Sequence, residues 1–186
     1  MTRAFSNRPL EPGVVDGLVD LARRAPSAGN TQGWDIVVLE GLDTARLWDV
    51  TLPVERRADF RWPGLLQAPA IGLVFADRDA YLARYGEPDK ARSALVDRDR
   101  WPVPYWQLDA AMAVMIMLLG AEELGLGALW FGVFRDADRL VASLGVPASH
   151  ELVGALALGH PLPSEPGRSA SRPRRPLHEI IHRGRW

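Results

Sequence analysis

From Ala110 to Ala121 the chain reads AAMAVMIMLLGA and carries no charged side chain. A helix made of this stretch is apolar on every side, and such a helix has to be enclosed. The stretch is shorter than the run of about 20 apolar residues that crosses a bilayer, so the cover must be protein. The whole chain has 186 residues. That suffices for one domain with a real core, but not for full enclosure of a central helix. The helix therefore predicts a second subunit, and a homodimer is expected.

The rest of the chain supplies elements to pack around it. Val14, Leu18, Leu21, Ala22 and Ala25 recur at helical spacing, and Pro26 stops that helix. The loop PSAGNTQGW leads into DIVVLE, a β-branched run that reads as a strand. TARLWDV reads as a short helix, AIGLVFAD (Ala70 to Asp77) as a buried strand and RDAYLARY as another helix. After the apolar helix come GALWFGV, a strand, DADRLVASLG, a helix, and ELVGALALGH, a last core strand. Gly86 to Tyr105 is polar, rich in arginine and proline, and without a period; a connection this long predicts a functional flap or cover. The strands are few and the central helix is too apolar for a doubly wound layout. The expected class is α+β, a small sheet packed on helices, in a single domain over 1–186. Within it, 160–186 is a proline-rich tail with six arginines (168, 172, 174, 175, 183, 185) against two acids, expected to run along a surface.

Net charge is −1, so no global field recruits nucleic acid or an anionic membrane. There is no cysteine, which removes disulfides and thiolate chemistry together. Lys90 is the sole lysine, so any anion held by a side chain is expected to meet a guanidinium fork. The start MTRAFSNRPLEPG has no apolar signal core, and a cytoplasmic location is the default expectation.

Near the C-terminus, His178-Glu179-Ile180-Ile181-His182 matches the H-E-x-x-H pattern of zinc metalloproteases. Two such histidines share a metal only on a helix, where one turn brings them to the same face. Pro176 and Arg183-Gly184 leave room for about two turns, and Ile180-Ile181 suits a strand at least as well. On a strand the histidines stand roughly 13 Å apart, at about 3.3 Å per residue. A third ligand is also required, and only four residues follow His182. No metal site is expected.

Three stretches carry chemistry. The turn Arg24-Ala25-Pro26-Ser27-Ala28-Gly29-Asn30-Thr31-Gln32-Gly33-Trp34 offers Ser, Asn and Gln side chains together with backbone amides. Those are the partners that a planar heteroaromatic ring with carbonyl and imide edges needs, although Ser, Gly and Asn also decorate ordinary turns. LGLGALWFGV, Leu124 to Val133, has glycines that let backbone approach a ligand, and by itself reads as a helix cap at Gly125 followed by a strand. It is not a G-x-G-x-x-G fingerprint, so no Rossmann site is implied. In the tail, prolines bracket Arg172, Arg174 and Arg175, which fits an anion site and a solvated face equally.

Taken together, RRAPSAGNTQGW, GLGALWFG and the closing RRPLHEIIHRGRW resemble the FMN-dependent nitroreductase family over almost the whole chain and in the right order. The resemblance implies an α+β homodimer with a small, mostly antiparallel sheet, two FMN sites at the interface and the apolar helix in the dimer core. It implies that the tail, 160–186, is an arm reaching across the partner, with His178 to His182 on it and without metal. The turn would meet FMN through Pro26, Ser27, Ala28 and Asn30, with Gln32 near. Trp130-Phe131-Gly132-Val133 would set backbone, Phe131 and Gly132 above all, against the flavin O4 and N5 edge. Arg172 and Arg174 match the basic residues that hold the phosphate, Arg3 matches the basic residue of an R-x-F element, and Arg61 is a weaker match at the pyrimidine edge. The family usually has an Arg-Arg-Ser element just before R-x-F, whereas this sequence begins at Met1. Either the natural start lies upstream, or Arg3 and the tail arginines hold the phosphate alone. Gly33 stands where the family often has proline.

The activity implied is transfer of hydride from NADH or NADPH, through flavin N5, to an electron-poor small molecule such as a nitroaromatic or quinone. No catalytic side chain is required of the protein. Trp101, Tyr105 and Trp106 could wall a pocket or simply pack in the core. Two other readings remain: a flavin-sequestering protein without turnover, and a specialised biosynthetic enzyme on the same scaffold.

Overall fold

AIGLVFAD forms a strand buried along almost its whole length, and the other elements are arranged around it. The computed structural model describes residues 1–90, 92–167 and 169–186; Arg168 of the tail lies outside them. Along the chain come α1 (Val14–Ala22), β1 (Trp34–Glu40), α2 (Ala45–Thr51), β2 (Ala70–Asp77), α3 (Arg78–Tyr85), α4 (Tyr105–Glu123), β3 (Gly127–Phe131), α5 (Ala137–Ser143) and β4 (His150–Gly159). The four strands form one sheet in the order β1-β2-β4-β3, and every neighbouring pair is antiparallel. The expected α+β class and small antiparallel sheet are what the chain adopts.

Successive side chains of a strand point to opposite faces, and β2 uses both. Ile71, Leu73 and Phe75 face one layer with Leu47, Trp48 and Leu140 of α2 and α5, joined by Phe5 and Leu65. Ala70 faces the other layer with Leu18 of α1 and Ala113, Met117 and Ala121 of α4. Val74 and Ala76 extend that layer against Tyr81 of α3 and Trp106, Ala110 and Val114 of α4. The register against β4 shifts between Val74 and Phe75, a local irregularity of the kind a bulge introduces. The N-terminal segment is tied to the base of the tail: Ser6 N donates to His160 O at 2.9 Å and Leu162 N to Ala4 O at 2.9 Å.

The apolar helix is α4. It ends in a left-handed Gly125, φ 68°, with Gly125 N donating to Glu122 O at 3.0 Å and Leu126 N to Ala121 O at 2.8 Å. That pair of bonds satisfies the last carbonyls, as in a Schellman cap. Its buried side is Trp106, Asp109, Ala110, Ala113, Val114, Met117 and Ala121, the three- and four-residue spacing of one helix face. The opposite side carries Leu108, Met112, Met115 and Leu119, which are 46, 38, 50 and 59 % exposed. One chain thus encloses α4 on one side only.

Several boundaries differ from the sequence expectation. α1 ends at Ala22, three residues short of Ala25, because Arg24 N and Ala25 N already donate to Leu21 O and Ala22 O in tighter i to i+3 turns. β3 ends at Phe131, leaving Gly132 and Val133 outside the strand. In the connection between α3 and α4, the Trp101 ring packs against both helices. That ring sits 4.8 Å from Tyr85, 5.5 Å from Tyr105 and 6.0 Å from Tyr81 and Trp106, and its Nε1 donates to Leu95 O at 2.8 Å. Trp101 and Trp106 are therefore core residues, while Tyr105 is partly exposed. In the tail, Leu177–Glu179 is a single 3-10 turn and His182 stacks on Trp186 at 4.1 Å. The His178 to His182 segment is thus neither an α-helix nor a strand. Among the described residues no group of three or more His, Cys, Asp or Glu side chains could hold a metal, and no helix is long and apolar enough to cross a membrane.

Candidate functional site

The turn from Pro26 to Gln32 is held in an unusual backbone shape. Gly29, Asn30 and Gln32 have φ of 65°, 53° and 55°. Asn visits this left-handed region readily, whereas Gln does so at a cost. Residues held in such regions persist only where the surroundings over-determine them, and they cluster at ligand-binding sites. Here the surroundings are identifiable. Ser27 Oγ accepts from Gln32 N at 2.9 Å, and Gln32 Nε2 donates to Asn30 Oδ1 at 3.3 Å. From α4, Asp109 Oδ2 accepts the Ala28 amide at 2.7 Å. From α3, Arg84 Nε donates to Gly29 O at 2.9 Å.

Each clamp is itself braced. Asp109 is 2 % exposed, and its Oδ2 also accepts from Tyr81 Oη at 2.7 Å. Burial, then the Asp109 hydrogen bond and charge, push the Tyr81 phenol far above its ordinary range. Arg84 is held by Asp89 through two bonds of 2.8 Å and by Glu87 at 3.1 Å. The Asp89 hydrogen bond raises the Arg84 guanidinium, and the same bond holds the Asp89 carboxyl below the usual range. A Cβ on Gly33 would lie 2.6 Å from the Tyr81 ring, so Tyr81 fills the space that a larger residue at 33 would need. Among the described residues the turn leaves the Ser27 hydroxyl proton, the Asn30 amide hydrogens and the Gln32 side-chain carbonyl without hydrogen-bond partners. Pro26, Asn30 and Gln32 are exposed, and Ser27 and Ala28 half-buried.

The other predicted residues lie elsewhere. Phe131 stacks on Trp48, centroids 6.0 Å apart and planes 3° from parallel, on the α2/α5 face. Gly132 is exposed, with the Phe134 ring where its Cβ would be, at 2.6 Å. The Arg3 guanidinium lies 5.1 Å from the Trp62 ring centre and Arg61 lies 4.6 Å from it, while a Cβ added to Gly167 of the tail would lie 3.2 Å from the Arg3 guanidinium. Arg172 and Arg174 are exposed. Among the described residues, none of these four arginines has a carboxylate within salt-bridge distance.

The turn precedes β1 at one edge of the sheet and Phe131 ends β3 at the other, three strand spacings of about 4.8 Å away, or about 14 Å. A single chain therefore places the expected site residues in two groups: Pro26 to Gln32 with α3 and α4, and Arg3, Arg61, Phe131 and Gly132 with the α2/α5 side. A cleft of about 790 Å³ between the N-terminal segment and the end of β1 contains none of them. Glu11, Asp16 and Glu40 line that cleft and make it a poor place for a phosphate. Sequence reasoning missed Asp109, Tyr81, Arg84 and Trp62. Only Asp109 left a trace, as the one acid at the head of a charge-free run.

The fold is an α+β sheet flanked by helical layers, with a strained polar turn at one sheet edge and, on the far side, Arg3 and Arg61, which meet no carboxylate among the described residues. Residues 1–160 match the model of the nitroreductase family. The chain belongs to that family. It is 31 % identical to the 5,6-dimethylbenzimidazole synthase of Rhodospirillum rubrum, over 97 % of this chain and 88 % of that protein. It is 27 % identical to an NADH dehydrogenase of Thermus thermophilus, over 96 % of this chain and 89 % of that one. A Desulfovibrio desulfuricans protein solved in complex with FMN superimposes with a TM-score of 0.66 at 26 % identity, covering 97 % of this chain and 88 % of the other.

Proposed function

We propose that this chain is an FMN-dependent oxidoreductase, one domain over 1–186, whose site is completed by a second copy. The observation that carries the reading is the turn: its backbone is locked by Asp109 and Arg84, and the exposed Asn30 and Gln32 keep unspent hydrogen-bonding groups. Such a preorganised polar edge suits the planar ring of a flavin. The rest of the donor set fits the same group. Arg3 and Arg61 flank an aromatic ring without carboxylate partners, and Arg172 and Arg174 are equally free to meet a phosphate by charge-assisted hydrogen bonds. The two groups of residues stand at opposite sheet edges, and α4 leaves an apolar side uncovered. Both features favour a homodimer, with the 160–186 arm crossing to the partner.

In this reading Pro26, Ser27, Ala28, Asn30 and Gln32 of one copy meet the flavin ring, while Phe131 and Gly132 of the other present backbone to its edge. Arg3, Arg172 and Arg174 hold the phosphate. When bound, FMN supplies the redox chemistry, accepting hydride from NADH or NADPH and passing it to an electron-poor small molecule such as a nitroaromatic or a quinone. The residues here bind, orient and shield; no side chain has to exchange a proton with substrate.

The test is a titration of purified, flavin-stripped protein with FMN, followed by NADH and NADPH oxidation with and without such an acceptor. Stoichiometric uptake and acceptor-dependent turnover support the reading. No uptake at micromolar FMN overturns it, and uptake without turnover identifies a flavin-sequestering protein instead. The 31 % identity to a 5,6-dimethylbenzimidazole synthase favours one second reading, a biosynthetic enzyme on this scaffold. A benzimidazole product in the reaction mixture would select it.

A further inference from the structure

We propose that Asp109 is the positioning residue of the 26–32 turn: through the bond from the Ala28 amide to its Oδ2 it sets the turn's ligand-binding shape. This rests on the reading that the turn meets the flavin ring.

Three observations converge on this one oxygen. Asp109 is 2 % exposed, on the buried side of a helix otherwise lined by apolar residues. A buried carboxyl is costly unless its hydrogen-bonding capacity is used. Both partners of Oδ2 lie at 2.7 Å, short bonds typical of charge-assisted contacts. One partner, Tyr81, is itself fully buried and fixes the oxygen from the α3 side. The other, Ala28, is the first residue of the 3-10 turn Ala28–Asn30.

The turn beyond Ala28 has little else to hold it from within. Its internal bonds are those of Ser27 with Gln32, of Gln32 with Asn30 and of the Thr31 hydroxyl with Ala28 O, together with Asn30 N to Ser27 O and Thr31 N to Ala28 O. Those five close the loop on itself and do not say where it sits on the protein. Asp109 and Arg84 supply that. Arg84 is braced by side chains on the surface, with Asp89 and Glu87 both more than half exposed, and surface pairs are weak. Asp109 is braced in the core by a tyrosine that cannot move without disturbing Trp101 and Trp106, whose rings stand 6.0 and 6.4 Å away. The rigid anchor is Asp109.

Three variants separate positioning from packing: Asp109→Ala, Asp109→Asn and Tyr81→Phe. Affinities for FMN and for riboflavin are measured well below each variant's melting temperature, and amide hydrogen exchange is followed in the flavin-free proteins. Asp109→Ala strands the Ala28 amide, so both ligands should weaken at least about tenfold, about 1.4 kcal/mol, and the amides of 28–32 should exchange faster than those of the sheet. Asp109→Asn keeps an oxygen for Ala28 and should restore most of the affinity. Tyr81→Phe leaves the Ala28 bond intact and should hold affinity within about threefold, the smaller loss expected when no buried partner of the turn is removed. The idea is overturned if Asp109→Ala lowers melting temperature while ligand affinity and turn exchange stay at wild-type values. It is equally overturned if Tyr81→Phe costs as much affinity as Asp109→Ala, because the anchor would then be the tyrosine. If wild type itself takes up neither flavin, the failure is that of the flavin reading, and the exchange data still decide whether Asp109 holds the turn.

Discussion

The uncovered side of α4 gives the sharpest quantitative expectation. Met115 and Leu119 are 50 and 59 % exposed in one chain, one helical turn apart on the same face. Burying a Leu or Met side chain completely is worth about 1.5–3 kcal/mol, so covering the exposed half of each contributes about 0.8–1.8 kcal/mol. In a two-fold dimer each residue is covered twice, and the pair together supplies about 3–7 kcal/mol of association free energy. The double change Met115→Glu plus Leu119→Glu removes this and adds carboxylates that resist desolvation. The dimer dissociation constant should rise at least about a hundredfold, since each 1.4 kcal/mol is a factor of ten. Sedimentation velocity over a nanomolar to micromolar dilution series reads the shift directly. Melting curves and circular dichroism confirm that the fold survives, as substitutions on an exposed face predict. FMN uptake should fall in parallel, because in the proposed dimer the partner completes the site. A double variant that stays dimeric over the same concentrations, or a wild type that is monomeric at micromolar concentration, would refute the reasoning.

Other perturbations test separate parts of the site. Changing Arg172 and Arg174 together to Ala should weaken FMN binding at least about tenfold, each charge-assisted contact being worth roughly 1.5–3 kcal/mol. Riboflavin, which lacks the phosphate, should bind both versions alike in a fluorescence titration; equal loss for the two ligands would make these arginines a solvated face. Gly33→Ala places a Cβ 2.6 Å from the Tyr81 ring and should cost about 1–3 kcal/mol, as overpacking does, visible as a lower midpoint in urea. The Asp89–Arg84 pair should make stability depend on acid. The Asp89 carboxyl is held below its ordinary value of 3.8, so its contribution is present above that pH and is lost as the pH falls through the lower folded value. The melting difference between wild type and Asp89→Asn should accordingly vanish in strong acid, and a difference that persists there would point to packing.

Much of the fold was legible because its strongest signals are local. The charge-free run that became α4, the buried run of β2 and the eight residues of α3 all read correctly from period and punctuation. Boundaries were less legible where geometry outside the pattern decided them. Ala25 keeps the helical spacing of α1, yet the chain tightens at Arg24 and Ala25 to enter the strained turn. Val133 looks like strand, yet β3 stops pairing with β4 at Phe131. Trp101 and Trp106 could not be told from pocket walls, because an aromatic side chain suits both. Only the ring contacts with Tyr81 and Tyr85 place them in the core.

The 26–32 turn was legible as a motif, whereas the side chains that support it were not. Ala28 and Asp109 are 81 positions apart, and Gly29 and Arg84 are 55 apart, so no window of sequence shows either bond. Yet the one oddity that the sequence did display, Gly33 in place of a frequent proline, belongs to the same support. Tyr81 occupies the room beside Gly33, and its hydroxyl shares the Asp109 oxygen with the Ala28 amide. Glycine at 33, tyrosine at 81 and aspartate at 109 therefore form one dependent set. A larger residue at 33 displaces the ring and draws its hydroxyl away from the Asp109 oxygen that also holds the Ala28 amide. What reads along the chain as a mild departure from a motif is, in space, the opening that admits the brace behind that motif.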